Sequence, residues 1–318
     1  MPADLTRTLV VGISSRALFD LEEANEVYEK NGQEAYARYQ LERQKHILDP
    51  GTGFSVVQAI LDLNEKAGGE RVAEIVIMSQ NSPATSVRLF HSIAYYRLDI
   101  QRAVMSGGSP LAPYMKTFAI DLYLSAYEND VQDALKTGTA AAVIYGTRKE
   151  EANPSEELRI AFDGDCVLFS DEAERIYQEH GLEKFLDHER HNARKPLPDG
   201  PFAKLLRTLS KLQDDGRFKR PPVRTALITA RNLPAHMRVL NTLLAWDVNV
   251  DEAFFLGGLP KTEILRAFRP HIFFDDQEVH CIPASKVVST GRVPGEIDFR
   301  RKIMGSEKQR PQTRNKRR

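Results

Sequence analysis

Apolar residues along the chain follow two periods. Short, mostly apolar runs at 9–13, 73–78, 122–124, 158–162, 226–228 and 272–274 have the length and composition of buried strands. Between them lie stretches with apolar residues at every third or fourth position. One spans 21–44 and is rich in Glu, Ala, Tyr and Arg, and another spans 53–66, with Val56, Val57, Ile60, Leu61 and Leu63 on one face. A third, 202–212, presents Phe202, Leu205, Leu206, Leu209 and Leu212 in the same way. Strands alternating with helices predict an α/β fold, a mostly parallel sheet with helices on its faces.

In such a sheet, ligands bind at the carboxyl ends of the strands, where strand ends and helix N-termini converge. The run 158–162 delivers two carboxylates there, Asp163 and Asp165, with one glycine between them and Val167-Leu168-Phe169 close behind. Asp-Gly-Asp is also compatible with an ordinary turn. As a site, two carboxylates this close repel unless a cation or a shared proton relieves them. Mg2+ meets that demand, since it takes hard oxygen ligands and leaves room for phosphate. Three further pieces follow in order: Ala226-Leu-Ile-Thr229-Ala230-Arg231, Gly257-Gly258-Leu-Pro260-Lys261, and Ile272-Phe-Phe-Asp275-Asp276. Taken singly, Thr229 reads as a strand-end or cap hydroxyl and Lys261 as a solvated loop lysine. Asp275-Asp276 is harder to read that way, because an acidic pair after three apolar residues adds repulsion that only a cation relieves.

Together, Asp163-x-Asp165, Thr229, Lys261 and Asp275-Asp276 resemble the four motifs of the haloacid dehalogenase (HAD) superfamily of phosphohydrolases. More narrowly, the string from Phe162 to Asp171, with Ser79-Gln-Asn81-Ser-Pro83 and Gly200-Pro-Phe202-Ala-Lys-Leu-Leu206, resembles the cytosolic 5'-nucleotidase I family over about residues 9–293. The resemblance implies a HAD-like Rossmannoid sheet with a helical cap insertion, at about 171–222. It implies hydrolysis of nucleoside 5'-monophosphates through an aspartyl-phosphate on Asp163. Asp165 would act as acid and then base, a role that calls for a raised pKa. Thr229, with Ala230 and Arg231, and Lys261 would hold the phosphoryl group. Asp163, the Asp165 carbonyl, Asp275 and Asp276 would hold Mg2+. Ser79 and Asn81 are candidates for substrate contact or for capping the next helix, and Phe202 for stacking on a nucleobase or for packing in the core. His188-Glu-Arg-His191 reads as a solvated helix face, since no further ligands at metal spacing accompany it. Other readings of the whole chain are a phosphatase of another small ester such as a sugar phosphate, or a non-catalytic nucleotide-binding regulator.

The first half of the chain overlays the second. Gly107-Gly108-x-Pro110 matches Gly257-Gly258-x-Pro260 at an offset of 150 residues, which also pairs Arg88 with Arg238 and Phe19 with Phe169. This predicts two related lobes from an internal duplication: 1–150 without catalytic groups, 151–298 with them, and a basic tail at 299–318. At that offset Ile13 and Ser15 stand opposite Asp163 and Asp165, Ser79 opposite Thr229, Leu111 opposite Lys261, and Ser125-Ala126 opposite Asp275-Asp276.

Composition adds mainly exclusions. Lys and Arg total 44, as do Asp and Glu, so no net field points to nucleic acid or membrane. The two cysteines, Cys166 and Cys281, make no disulfide framework and suit a reducing, cytoplasmic setting. Cys166, beside the carboxylates, reads as a small packing residue and not as a nucleophile. No run approaches the roughly 18 apolar residues of a membrane span, and the first strand-length run has no cationic lead of a signal segment. The tail, with Arg300-Arg301-Lys302 and 314–318, is expected to be disordered, nucleic-acid contact being the lesser reading. An oligomer remains compatible with the sequence.

Overall fold

From the amino end the chain forms β1 (Leu9–Ile13), α1 (Ser15–Leu18), α2 (Glu22–Glu42), α3 (Phe54–Lys66), β2 (Ala73–Ser79), α4 (Val87–Tyr95) and β3 (Arg102–Met105). The first half closes with α5 (Ala112–Thr117), β4 (Leu122–Ser125), α6 (Glu128–Lys136) and β5 (Ala140–Tyr145). The order then recurs as β6 (Leu158–Phe162), a widened turn (Gly164–Leu168), α7 (Glu172–His191), α8 (Ala203–Gln213), β7 (Val223–Thr229), α9 (His236–Ala245) and β8 (Glu252–Phe255). It ends with α10 (Thr262–Phe268), β9 (Ile272–Asp275), α11 (Glu278–Ala284) and β10 (Thr290–Arg292). This computed structural model describes residue 5 and residues 7–146 and 157–295. The boundary expected at 150 and the basic tail lie outside the described residues.

Among the described residues the strands make one ten-stranded sheet in the order β3-β2-β1-β4-β5-β10-β9-β6-β7-β8. Each half is parallel throughout, and β5 and β10 join them antiparallel, with Ile144 opposite Gly291. The α/β class and the parallel sheet agree with the sequence expectation. Strand alternation sorts the apolar residues onto two faces. Leu9, Val11 and Ile13 join α3, α4, α8 and α9 in one core that runs across both halves. Val10 and Tyr123 face α5 and α6, while Ala161, Phe273 and Phe268 pack with α10 and α11. Equivalent helices thus share a face while the halves run oppositely, so an approximate twofold axis stands perpendicular to the sheet between β5 and β10. The two units expected as lobes therefore share one sheet and one core. The axis also points the carboxyl ends of the two sets of strands in opposite directions.

The stretch 171–222 divides in two. Helix α8 buries Leu205, Leu206 and Leu209 in the shared core, just as α3 buries Val56, Val57 and Ile60. Helix α7 is polar, with a break at Gly181 (φ 79°), and its counterpart α2 breaks the same way at Gly32 (φ 81°). Only glycine takes this conformation without strain. No helix among the described residues is long and apolar enough to cross a membrane.

Candidate active site

Three adjacent strands of the second half, β9, β6 and β7, end side by side. Their last residues or the next ones are Asp275, Asp163 and Thr229. The Asp163 N–H donates to the Phe274 carbonyl at 2.7 Å, which extends the β6–β9 pairing and fixes where the carboxylate starts. The turn after it carries one residue more than its first-half counterpart. Phe169 N–H reaches back five residues to the Gly164 carbonyl, whereas Phe19 N–H reaches back four to Ser15. The extra residue is Cys166, in the left-handed region at φ 63°. Such one-residue widenings of a helical turn recur at functional sites. Gly200 holds the turn from below, because a Cβ there would run into the Val167 and Phe169 carbonyls.

The widened turn also corrects the internal alignment. In the paired strands Ile13 is level with Ile77 and Phe162 with Leu227. Ser14 is therefore the counterpart of Asp163 and Arg16 that of Asp165, one position on from the ungapped match. The first half still has no carboxylate at the places of Asp163, Asp165, Asp275 and Asp276.

Lys261, at the start of α10, lies between two carboxylates, 2.8 Å from Asp163 Oδ1 and 2.6 Å from Asp275 Oδ2. Burial alone would lower its pKa; Asp163 and Asp275 overcome that and hold the ammonium above its ordinary range. Oxygens of Asp163, Asp275 and Asp276 lie within 4.8 Å of one another. Burial, then Asp275 and Asp165, push Asp163 up to about 6 against the pull of Lys261. Burial, then Asp163 and Asp275, push Asp276 up to about 9. Three carboxylates thus face one ammonium, and Asp276 Oδ1 is buried with no hydrogen-bond partner. An unpaired buried oxygen beside surplus negative charge fits a divalent cation with oxygen ligands. Thr229 closes the other side, since a Cβ on Gly164 would lie 3.4 Å from its hydroxyl oxygen.

Asp165 is held apart from this cluster. Arg231 grips it with both arms, Nε to Oδ2 at 2.8 Å and Nη2 to Oδ1 at 2.6 Å. Arg231 also donates through Nη1 to Glu189 of α7, and Glu189 accepts from Arg238 at 2.8 Å. Arg238 reaches on to Glu172 at 3.2 Å. Arg231, Glu189 and Arg238 are all buried. The solvated face expected of 188–191 fails at Glu189, which two buried guanidiniums compensate. Phe185 of α7 lies under Arg231, its ring centre 5.5 Å from the guanidinium carbon, and stacks edge-on with Tyr177 at 6.2 Å. The sequence offers no site role for Glu189, Arg238, Phe185 or Tyr177: Arg238 enters only through the repeat and Glu189 only within 188–191.

The fold thus brings Asp163, Asp165, Thr229, Arg231, Lys261, Asp275 and Asp276 together, with Ala230 exposed at the end of β7. It does not bring Ser79, Asn81 or Phe202 to them. Ser79 and Asn81 line a different cleft, at the carboxyl ends of the oppositely directed first-half strands. Phe202 is fully buried against Phe274 and Phe162, with ring centres 4.7 and 6.4 Å away, and has no face free for a base. Phe202→Leu is accordingly expected to lower unfolding free energy by on the order of 1 kcal/mol and to leave KM unchanged. A raised KM at unchanged stability would return this ring to the substrate. Burial, then Asp276 and Asp165, push the Cys166 thiol well above its usual range, which agrees with a packing residue and not a nucleophile. A cavity of about 950 Å³ opens beside Cys166 and Asp276 and extends to Tyr145 and Glu128 of the first half.

Without a cation the cluster should make stability fall as pH rises. Asp163 and Asp276 bind protons more tightly folded than unfolded, so their contribution is complete below the unfolded carboxylate value and lost as pH climbs through about 6 and about 9. A bound dication replaces those protons. Magnesium at a hundredfold excess over its Kd should therefore stabilise by about 2.7 kcal/mol, raising the melting temperature by several degrees and more at pH 8.5 than at pH 6. Differential scanning fluorimetry of wild type and Asp276→Asn checks this. An equal shift in both proteins would separate the cation from this cluster.

A model of the 5'-nucleotidase family matches residues 1–299. Over 298 residues the chain is 38% identical to human (Homo sapiens) cytosolic 5'-nucleotidase 1B, which covers 91% of this chain and 49% of that protein. The chain thus spans about half the length of that curated relative. A crystal structure of histidinol dehydrogenase from Elizabethkingia anophelis overlaps 76% of this chain and 51% of its own at a TM-score of 0.25 and 12% identity, too slight a likeness to carry an argument. With its site at the ends of β9, β6 and β7 and a match that runs through both halves, the chain belongs to the 5'-nucleotidase family.

Proposed function

We propose that this protein is a magnesium-dependent 5'-nucleotidase that hydrolyses nucleoside 5'-monophosphates to nucleoside and phosphate, as the name of its human relative suggests. The observation that carries the reading is the single lysine, Lys261, bonded to both Asp163 and Asp275 at adjacent strand ends. Asp163 Oδ attacks phosphorus, forming an aspartyl-phosphate as the bond to the 5'-oxygen breaks. Asp165 protonates that leaving oxygen, then takes a proton from the water that cleaves the intermediate. Arg231 bonds both of its oxygens, so where Asp165 stands during either step is linked to the α7 contacts. Thr229 and Lys261 hold phosphoryl oxygens, and Lys261 offsets charge that builds in a site shielded from water. Asp163, Asp275, Asp276 and the Asp165 carbonyl would hold Mg2+, which when bound supplies positive charge against the phosphoryl oxygens. Tyr177 and Phe185 of α7 offer ring faces for the nucleobase in place of Phe202. The chemistry falls to 151–298, and 1–150, with Ser14, Ser79 and Leu111 at the matching places, is catalytically silent. A cytosolic setting agrees with the relative's name.

The test is phosphate release from a panel of nucleoside 5'-monophosphates and sugar phosphates, with Mg2+ and with EDTA. Metal-dependent release that favours nucleotides supports the reading. Release from sugar phosphates alone keeps the mechanism and removes the nucleotide.

A further inference from the structure

The first half keeps part of the site whose chemistry it lacks. Its cleft, about 560 Å³, lies between the ends of β1 and β2 and helix α2. That volume is within the range of small-molecule sites. Ser14, Ser79 and Ser125 occupy the places of Asp163, Thr229 and Asp275, and buried Leu111 that of Lys261. The ring pair of α7 is nevertheless duplicated. Gly32 and Gly181 break their helices alike, and from that anchor Tyr28 matches Tyr177 and Tyr36 matches Phe185. Tyr28 and Tyr36 meet edge-on with centres 5.9 Å apart and planes at 86°, against 6.2 Å and 83° for Tyr177 and Phe185. At the place of Arg231 stands the shorter Asn81, which lines the cleft with both tyrosines.

The charges around this cleft decide what it takes. Its lining holds one cation, Arg16, which is paired to Glu22 at 2.7 Å, and two acids, Glu29 and Asp130. A phosphate dianion meets no unpaired cation among the described lining residues and two carboxylates that repel it. A neutral ligand with a flat ring and several hydroxyls meets two tyrosine rings, serine hydroxyls and the Asn81 amide, while Asn25 and Gln80 donate to Glu29 and Asp130 at 2.7 Å each.

We propose that the first-half cleft is a second binding site, for the neutral nucleoside, with the Tyr28–Tyr36 pair against the base and the strand-end hydroxyls and the Asn81 amide against the sugar. It goes beyond the catalytic reading and takes from it only the choice of probe. The chemistry requires no turnover there, since no nucleophile, lysine or metal carboxylate is present.

The experiment is titration calorimetry of the full chain in EDTA with adenosine, uridine and adenosine 5'-monophosphate. Two classes of nucleoside site are expected. Tyr28→Ala, at a half-exposed position, should weaken one class at least tenfold and Tyr28→Phe should restore it. Phosphate release without added nucleoside should be the same in all three proteins. Two results would overturn the inference: a titration that Tyr28→Ala leaves unchanged, or tighter binding of the monophosphate than of adenosine at the Tyr28-dependent site. Tyr28-dependent adenosine binding in a protein that releases phosphate only from sugar phosphates would keep this site and remove the nucleotide reading of the other.

Discussion

Asp163→Asn is expected to lower phosphate release by about 10⁴-fold or more, the scale of losing a covalent nucleophile, while the protein folds at least as well as wild type. The substitution is nearly isosteric, and an amide oxygen can still accept from Lys261, 2.8 Å away. What disappears is the anionic oxygen proposed to attack phosphorus. The stability half of the prediction follows from the same geometry. Burial, Asp275 and Asp165 hold Asp163 up at about 6. At neutral pH without cation the folded state therefore carries a carboxylate it would sooner protonate, and a neutral amide removes that repulsion. Melting temperature in EDTA should rise, most clearly above pH 6, and its increase with magnesium should shrink. Activity within about tenfold of wild type, with the fold intact by circular dichroism, would rule out Asp163 as nucleophile.

Most of the strand-end cluster was legible in sequence because Asp163, Thr229 and Asp275 are short polar signals after buried strands. Asp163, Thr229 and Asp275 end three apolar runs, and a sheet leaves such residues nowhere else to go. What sequence could not show was how the halves meet. A repeat read without gaps sets Ile13 against Asp163, because the residue that shifts the register, Cys166, is absorbed in a widened turn and leaves no trace in composition. Ser79 and Asn81 read as candidates for substrate contact, yet the antiparallel joint of β5 and β10 turns their edge the other way. Phe202 sits at the start of an amphipathic helix where site and core readings have one pattern; only its position beside Phe274 decides for the core. Glu189 is the sharpest case. In a helix of mean polar character a glutamate belongs to solvent, and its partners, Arg231 and Arg238, lie 42 and 49 residues further on.

Glu189 also carries the largest expected stability effect. Its carboxylate is shared by two buried guanidiniums, so Glu189→Ala leaves Glu172 as the one carboxylate bonded to Arg238, which is wholly buried, and Asp165 as the one bonded to Arg231. Removing one member of a buried ion network exposes the others' desolvation, typically about 3–5 kcal/mol, and urea unfolding should show a loss of that size. Replacing Glu189 and Arg238 together, by Leu and Met, removes charge of both signs and should recover part of it, since a packed apolar pair needs no compensation. The catalytic consequence runs through Arg231. With its Glu189 anchor gone, Arg231 no longer holds Asp165 in one place, and a displacement of about 1 Å is enough to lower turnover by up to about 10²-fold. That fall should appear in kcat at a temperature where Glu189→Ala is still folded, with the response to magnesium unchanged because what moves is the Asp165 side chain, while its backbone carbonyl and the carboxylates of Asp163, Asp275 and Asp276 stay in place. A variant that unfolds within about 0.5 kcal/mol of wild type would mean that water or a rearranged neighbour takes over the carboxylate's place. The link from α7 to Asp165 would then be one of contact and not of energy.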